Sequence, residues 1–301
     1  MLTWNHVATA WNGFFHAPEP PTALALFRIA FGLLLVVNAL LLLKDLPWYF
    51  GPRGWVSAER FVKAYGTSRF TLCNLLPHTA GTVNLLLAVH LVAACGLSAG
   101  LWTRASAVLA FVTLVSLHHR NPCVLHSGDT LQRLLLFLLM FSPAGDALSV
   151  DVWLAGSAWS DAVSPAPSDP WCQRLMQLQV SIVYLRTAWW KLKGKTWING
   201  TAAYYPPQLE AFARFPIPRL LLSRFFTAIA TWGTLLVESA LGTLVWFREC
   251  RTAVLLTGCA LHLLLEYSLN LQLFGWTMLV TYLLFVDPQG ALLWLQRVAC
   301  P

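Results

Sequence analysis

The sequence predicts an all-α, polytopic integral membrane protein: a helical bundle of about eight transmembrane helices behind an N-terminal amphipathic helix. Three observations predict it. Hydrophobic residues make up 57% of the chain and charged residues 11%, against roughly 25% charged in ordinary soluble domains. Apolar runs such as 23–43 reach the ~20 residues that a bilayer core demands. The 15 tryptophans suit interfacial belts, where the ring body meets acyl chains and the N–H meets headgroups.

The elements follow in order. The opening MLTWNHVATAWNGFF lacks the basic segment of a cleavable signal, so 1–18 is expected to be an interfacial amphipathic helix. Pro18, Pro20 and Pro21 break the chain before the first span, 23–43, which ends at Lys44-Asp45-Leu46-Pro47. The second span covers about 83–101. A tight turn at 100–103 leads to the third, 104–117, and the fourth is 130–141. The last two are short and must extend through polar residues or be re-entrant. A polar loop at 143–170 carries Asp146, Asp151, Asp161 and Asp169. The fifth span is about 172–192, and a proline-containing loop at 193–219 follows it. Spans 225–247, 253–266 and 271–286 complete the bundle, with 291–299 a short interfacial helix. There is no internal repeat, so 1–301 reads as one domain whose bundle occupies 23–290.

Composition excludes several classes. The net charge of +7 lies on no basic stripe of a polar domain, so a nucleic-acid partner is not expected. The seven cysteines, Cys300 the last, form no CxxC pair and no zinc-like spacing, so neither a disulfide framework nor a metal site is expected. A transporter is disfavoured by the lack of inverted repeats and matched broken helices. The partner that composition does imply is the lipid bilayer, crossed several times, with the bacterial inner membrane as the expected location.

Polar residues at membrane depth are costly, which makes them site candidates. Lys191 ends an aromatic stretch through Trp189 and Trp190, before Lys193, Lys195 and Trp197. It either snorkels to the headgroups or acts as a base at the rim of an apolar pocket, uncompensated and beside imidazole and carboxylate neighbours. The densest polar stretch is LHHRNPCVLHSGDTLQR at 117–133. There Asp129 or Ser127 could cap the next helix, and His126 is either a proton-transfer group or an interfacial histidine bonded to backbone. Arg120 and Asn121 enter the apolar bundle beside it. Arg28 lies one turn into the first span and Glu238 mid-span, so the two are expected to pair unless Arg28 snorkels. His262 stands four residues before Glu266, on one helix face. It either faces a cavity with Gln272 nearby or bonds Glu266 locally.

In order and spacing these residues resemble the HTTM (horizontally transferred transmembrane) family, which includes vitamin K-dependent gamma-glutamyl carboxylase. The match runs through Phe27-Arg28-Ile29, Phe50-Gly51-Pro52-Arg53-Gly54, Arg120-Asn121-Pro122…Gly128-Asp129, Ser149-Val150-Asp151, Tyr184…Lys191-Leu192…Trp197 and Leu269-Asn270-Leu271-Gln272. The resemblance implies an enzyme that uses a reduced, vitamin K-like quinone (a hydroquinone), O2 and CO2, with Lys191 as base and His126 assisting. It implies quinone- or substrate-binding roles for Arg120, Asn121, Asp129, Trp197, His262 and Gln272. A peptide or a small carboxylate is the substrate class implied, and no metal is.

There are departures from the carboxylase. Trp190 stands where it has a second lysine, and its large extramembrane domain is expected to be missing beyond Pro301. The alternative is a non-catalytic membrane module that binds a quinone or partner and supports peptide maturation. Orientation indications oppose each other. Lys44, Arg53, Arg60, Lys63, Arg69, Arg120 and the basic residues of 191–224 place the motif-bearing face in the cytoplasm by the positive-inside rule; the resemblance places it outside.

Overall fold

The computed structural model describes residues 4–57, 60, 63, 70–77, 79–156 and 165–299; Arg69, Asp161 and Cys300 lie outside them. The described residues are helical, with no strand and two isolated bridges, Glu19–Ser168 and Ala213–Leu269. Two compact units form: Met1–Arg174 with Val286–Pro301, and Leu175–Phe285.

The first unit begins with α1 (Trp4–Phe15), which buries none of its side chains and leaves Trp4 and Trp11 exposed, as an interfacial helix should. Arg174 ties down its end, with Nε to the Phe14 carbonyl at 3.1 Å and Nη2 to Glu19 Oε1 at 2.5 Å. Then come α2 (Thr22–Leu42), α3 (Leu46–Phe50), α4 (Ala80–Ala99), α5 (Thr103–Arg120), α6 (Ser127–Leu139) and α7 (Val150–Leu154). Helix α2 packs on α4 at Gly32, where a Cβ would lie 2.6 Å from the Ser98 nitrogen, and Ser98 Oγ donates to the Ile29 carbonyl at 3.1 Å. Small residues let apolar helices approach closely where the hydrophobic effect gives no drive. Phe27 and Phe31 stack at 5.1 Å and are fully buried beside Leu24 and Leu35.

The α4–α5 turn is built by Gly100 in the left-handed region, φ +71°. The Leu101 amide returns to the Gly96 carbonyl at 2.8 Å, a Schellman closure. Asp151 caps α5 from another loop, accepting from Trp102 N at 2.6 Å, Thr103 N at 2.8 Å and Thr103 Oγ1 at 2.7 Å. Burial pushes this carboxyl up, but those hydrogen bonds and the Arg28 charge outweigh it and leave it below the usual carboxylate range. A depressed carboxyl stabilises the fold above its unfolded value, about pH 4, and that contribution is lost as pH falls through the folded value. Asp151→Asn is therefore expected to lose about 1–2 kcal/mol at neutral pH. The gap to the wild type should close in acid. Melting curves in detergent at pH 7 and near pH 3 check it, and a pH-independent gap would refute the assignment.

The second unit holds most of α8 (Trp171–Leu192), then α9 (Lys195–Ile198), α10 (Arg224–Thr243), α11 (Arg248–Ser268) and α12 (Phe274–Thr281). The last helix, α13 (Pro288–Ala299), belongs to the first unit. Within the second unit Gln177 Nε2 donates to the Leu284 carbonyl at 2.7 Å and Trp246 Nε1 to Ser181 Oγ at 3.0 Å.

Among the described residues, three helices are long and apolar enough to cross a membrane: Thr22–Leu42, Ala80–Ala99 and Arg224–Trp246. A bent pair near the C-terminus makes up to four. The other expected spans fall short for physical reasons. Helix α6 has 13 residues, α5 ends in His118-His119-Arg120, and α11 starts at Arg248-Glu249-Cys250-Arg251. Helix α8 carries Gln173, Arg174, Gln177, Gln179 and Arg186.

Candidate functional site

Lys191 sits in the last turn of α8, and its Nζ donates to Glu238 Oε1 of α10 in a salt bridge. The Lys191 side chain is 20% exposed and that of Glu238 9%. The chain turns at Gly194, whose amide bonds the Lys191 carbonyl at 2.9 Å. That turn returns Trp197 of α9 beneath the ammonium, 4.8 Å from Nζ to the ring centroid. The expected uncompensated amine is corrected: Lys191 carries both a carboxylate and an aromatic face. Glu238 Oε2 is buried and has no hydrogen-bond partner among the described residues.

A second polar cluster lies in the same unit. The Tyr184 hydroxyl is 2.8 Å from His262 Nε2 and 2.7 Å from the Tyr282 hydroxyl. His262 Nδ1 is buried and has no hydrogen-bond partner among the described residues. Glu266 does not bond His262; its Oε2 takes Arg214 Nη1 at 2.7 Å, and Arg214 also reaches the Glu266 carbonyl at 3.1 Å. Gln272 follows α11 on a turn, exposed, with φ +53°. Tyr184, Tyr282 and Arg214 were not singled out as site residues from sequence. A signal for Tyr184 existed: Gln177, Tyr184 and Lys191 recur every seven residues along α8, which places three polar groups on one face.

The expected Arg28–Glu238 pair is also corrected, because each finds its partner in its own unit. Arg28, fully buried, donates from Nη1 to the Ala144 carbonyl at 3.2 Å and from Nη2 to the Leu148 carbonyl at 2.6 Å. A guanidinium fork satisfies its donors on turn carbonyls as well as on a carboxylate. The cation paired with Glu238 is Lys191.

The remaining candidates belong to the first unit and are tied into its scaffold. His126 is the N-cap of α6, its Nδ1 accepting from Gly128 N at 3.0 Å. Asp129 Oδ2 accepts from His126 N at 2.9 Å, which closes a capping box. Arg120 is buried and holds the carbonyls of Gly51 at 3.1 Å and Val56 at 3.2 Å. Asn121 Nδ2 donates to the Tyr49 carbonyl at 2.7 Å. Arg120 and Asn121 thus clasp the Phe50–Gly54 motif to the end of α5. Arg120 also borders a small recess lined with it by Phe50, Pro52, Cys73 and Thr82, where burial pushes the Cys73 thiol up.

The family model described as the HTTM domain matches residues 16–289, most of the chain. No solved structure matches it.

Proposed function

Because the chain belongs to the HTTM domain family, whose members include carboxylase-like membrane proteins, we propose that it is a membrane-embedded enzyme of that kind, with the Lys191–Glu238 pair as its proton-handling centre. In this reading the chain crosses the bacterial inner membrane eight times and acts on a peptide or small carboxylate. The observation that carries it is an ion pair on facing helices, its carboxylate buried, whose second oxygen has no hydrogen-bond partner among the described residues.

A lysine serves as a base only as the neutral amine. In a low-dielectric interior, amine plus carboxylic acid costs less than two separated ions. Glu238 can therefore take the ammonium proton and leave Nζ free to accept another. The indole of Trp197 favours the cationic state that follows. A quinol, when bound, supplies an acidic hydroxyl and the reducing equivalents for chemistry with O2 and CO2. The unit's residues fit such a flat ring with two oxygens: Glu238 Oε2 and His262 Nδ1 are buried and unpaired, and Tyr184 and Tyr282 supply hydroxyls. His126 has only Nε2 left for proton transfer, since Nδ1 holds the helix cap. A non-catalytic quinone- or partner-binding module is the second reading. It is favoured by Arg120, Asn121 and Asp129, whose side chains all serve scaffold hydrogen bonds.

The test is purified protein with a reduced vitamin K-type quinone and labelled bicarbonate, following quinol oxidation and label uptake. Lys191→Ala is expected to lower turnover by at least about 100-fold. The Lys191→Ala/Glu238→Gln double variant, which leaves no ion buried alone, should keep the fold and stay inactive. Turnover undiminished in Lys191→Ala would refute the base assignment, and unaltered cellular function in that variant would favour the binding module.

A further inference from the structure

The cations around Lys191 divide into one that is neutralised and three that are not. Lys191 has Glu238, but no acidic side chain among the described residues forms a salt bridge with Arg186, Lys193 or Lys195. Two of these cations share one ring. Arg186 lies 4.8 Å from the Trp190 centroid and Lys193 4.5 Å from it, while Lys193 is also 5.0 Å from Trp189. Arg186, Trp189, Trp190 and Lys193 stand at i, i+3, i+4 and i+7, so they form one stripe at the end of α8. All four are exposed. Below them on α8, Ile182 and Leu185 are exposed apolar side chains, 56% and 41% accessible.

An apolar track that ends in two indoles and two unpaired cations has the order of a phospholipid: acyl chain, interfacial boundary, phosphate. We propose that this stripe binds the phosphodiester headgroup of an anionic phospholipid, with Arg186 and Lys193 as its ligands. The proposal rests on the reading of α8 as a membrane span and is independent of any catalysis at Lys191. Two like charges on one indole repel; a phosphate between them removes that repulsion and takes the guanidinium fork in bidentate fashion. The ammonium of Lys193 adds a point charge at its side.

Native mass spectrometry of protein released from bilayers of equal phosphatidylglycerol and phosphatidylcholine tests this. The wild type is expected to retain phosphatidylglycerol selectively. Arg186→Gln/Lys193→Gln should weaken that retention by about 5-fold per cation, roughly 30-fold in all, without changing phosphatidylcholine retention. Trp190→Leu, with both charges kept, should weaken it less. Equal retention of the two lipids by the wild type, or full phosphatidylglycerol retention by the double variant, would overturn the proposal. Displacement of the lipid by millimolar inorganic phosphate would also overturn it, as a phosphate site rather than a lipid one. Quinol turnover is read separately, so failure of the base assignment leaves this outcome untouched.

Discussion

Lys191→Met is expected to destabilise the protein by about 3–4 kcal/mol at pH 7, and adding Glu238→Leu to recover most of that loss. Without the ammonium, the 9%-exposed Glu238 side chain faces an apolar helix surface as a bare carboxylate, and it stays buried only by taking up a proton. Holding that proton at pH 7 against an ordinary glutamate value near 4.3 costs about 1.4 kcal/mol per pH unit. The loss should therefore shrink as pH falls from 7 through 5 toward about 4.3, below which the unfolded carboxyl also binds its proton. Removing both partners leaves neither ion alone, and buried ion pairs replaced by apolar side chains are often neutral in stability. The reverse single change, Glu238→Leu, should cost less, because the lysine at the end of α8 can carry its head group outward. Denaturation in mixed detergent at pH 5 and pH 7 measures the cycle. Additivity of the two single losses would show that the pair is not coupled, and equal single losses would refute the outward path for the lysine.

Much of the fold was legible in the sequence because its signals are local. The apolar run at 23–43, the exposed N-terminal helix and the Gly100 turn depend on residues close in the chain, and α2, α1 and the α4–α5 turn stand where those signals put them. Span number was less legible. Polar residues in α5, α8 and α11 satisfy one another or backbone carbonyls by contacts that periodicity does not reveal, as Arg120 does with Gly51 and Val56.

The candidate site was half legible for the same reason. A lysine beside three tryptophans and a mid-span glutamate are each conspicuous because burying a charge is expensive. Which charge meets which depends on packing between helices 47 residues apart, and the sequence offered Arg28 as the larger cation. Tyr282 has no local signal, and only its hydroxyl contact with Tyr184 separates it from a core phenylalanine. His126 illustrates the opposite case. Asp129 caps the helix as expected, and the His126 side chain, expected to be a proton-transfer group or bonded to backbone, joins it, since histidine Nδ1 can accept an amide as a serine oxygen does.

Gly100→Ala is expected to cost about 2–5 kcal/mol, for two separable reasons. A left-handed φ of +71° costs an L-residue roughly 1–2 kcal/mol by itself. The new Cβ would also run into the Arg28 guanidinium and lie 2.5 Å from Ser149 Cβ, and such overpacking adds about 1–3 kcal/mol. Neither neighbour can yield easily. Arg28 is fully buried and anchored on two carbonyls, and Ser149 Oγ donates to the Gly145 carbonyl at 2.5 Å while capping α7. Trp102 and Leu148, both at positive φ, flank the same knot, so backbone already held in a costly conformation depends on it. Arg28→Leu isolates the guanidinium clash. It is destabilising alone, because the Ala144 and Leu148 carbonyls lose their donor, yet in its presence the glycine substitution should cost the backbone share and the Ser149 contact without the guanidinium clash. A coupling of about 1–3 kcal/mol in that cycle is the expected reading. Strict additivity would mean that the guanidinium does not pack against the turn, and that Gly100 is required for its backbone conformation and the Ser149 contact alone.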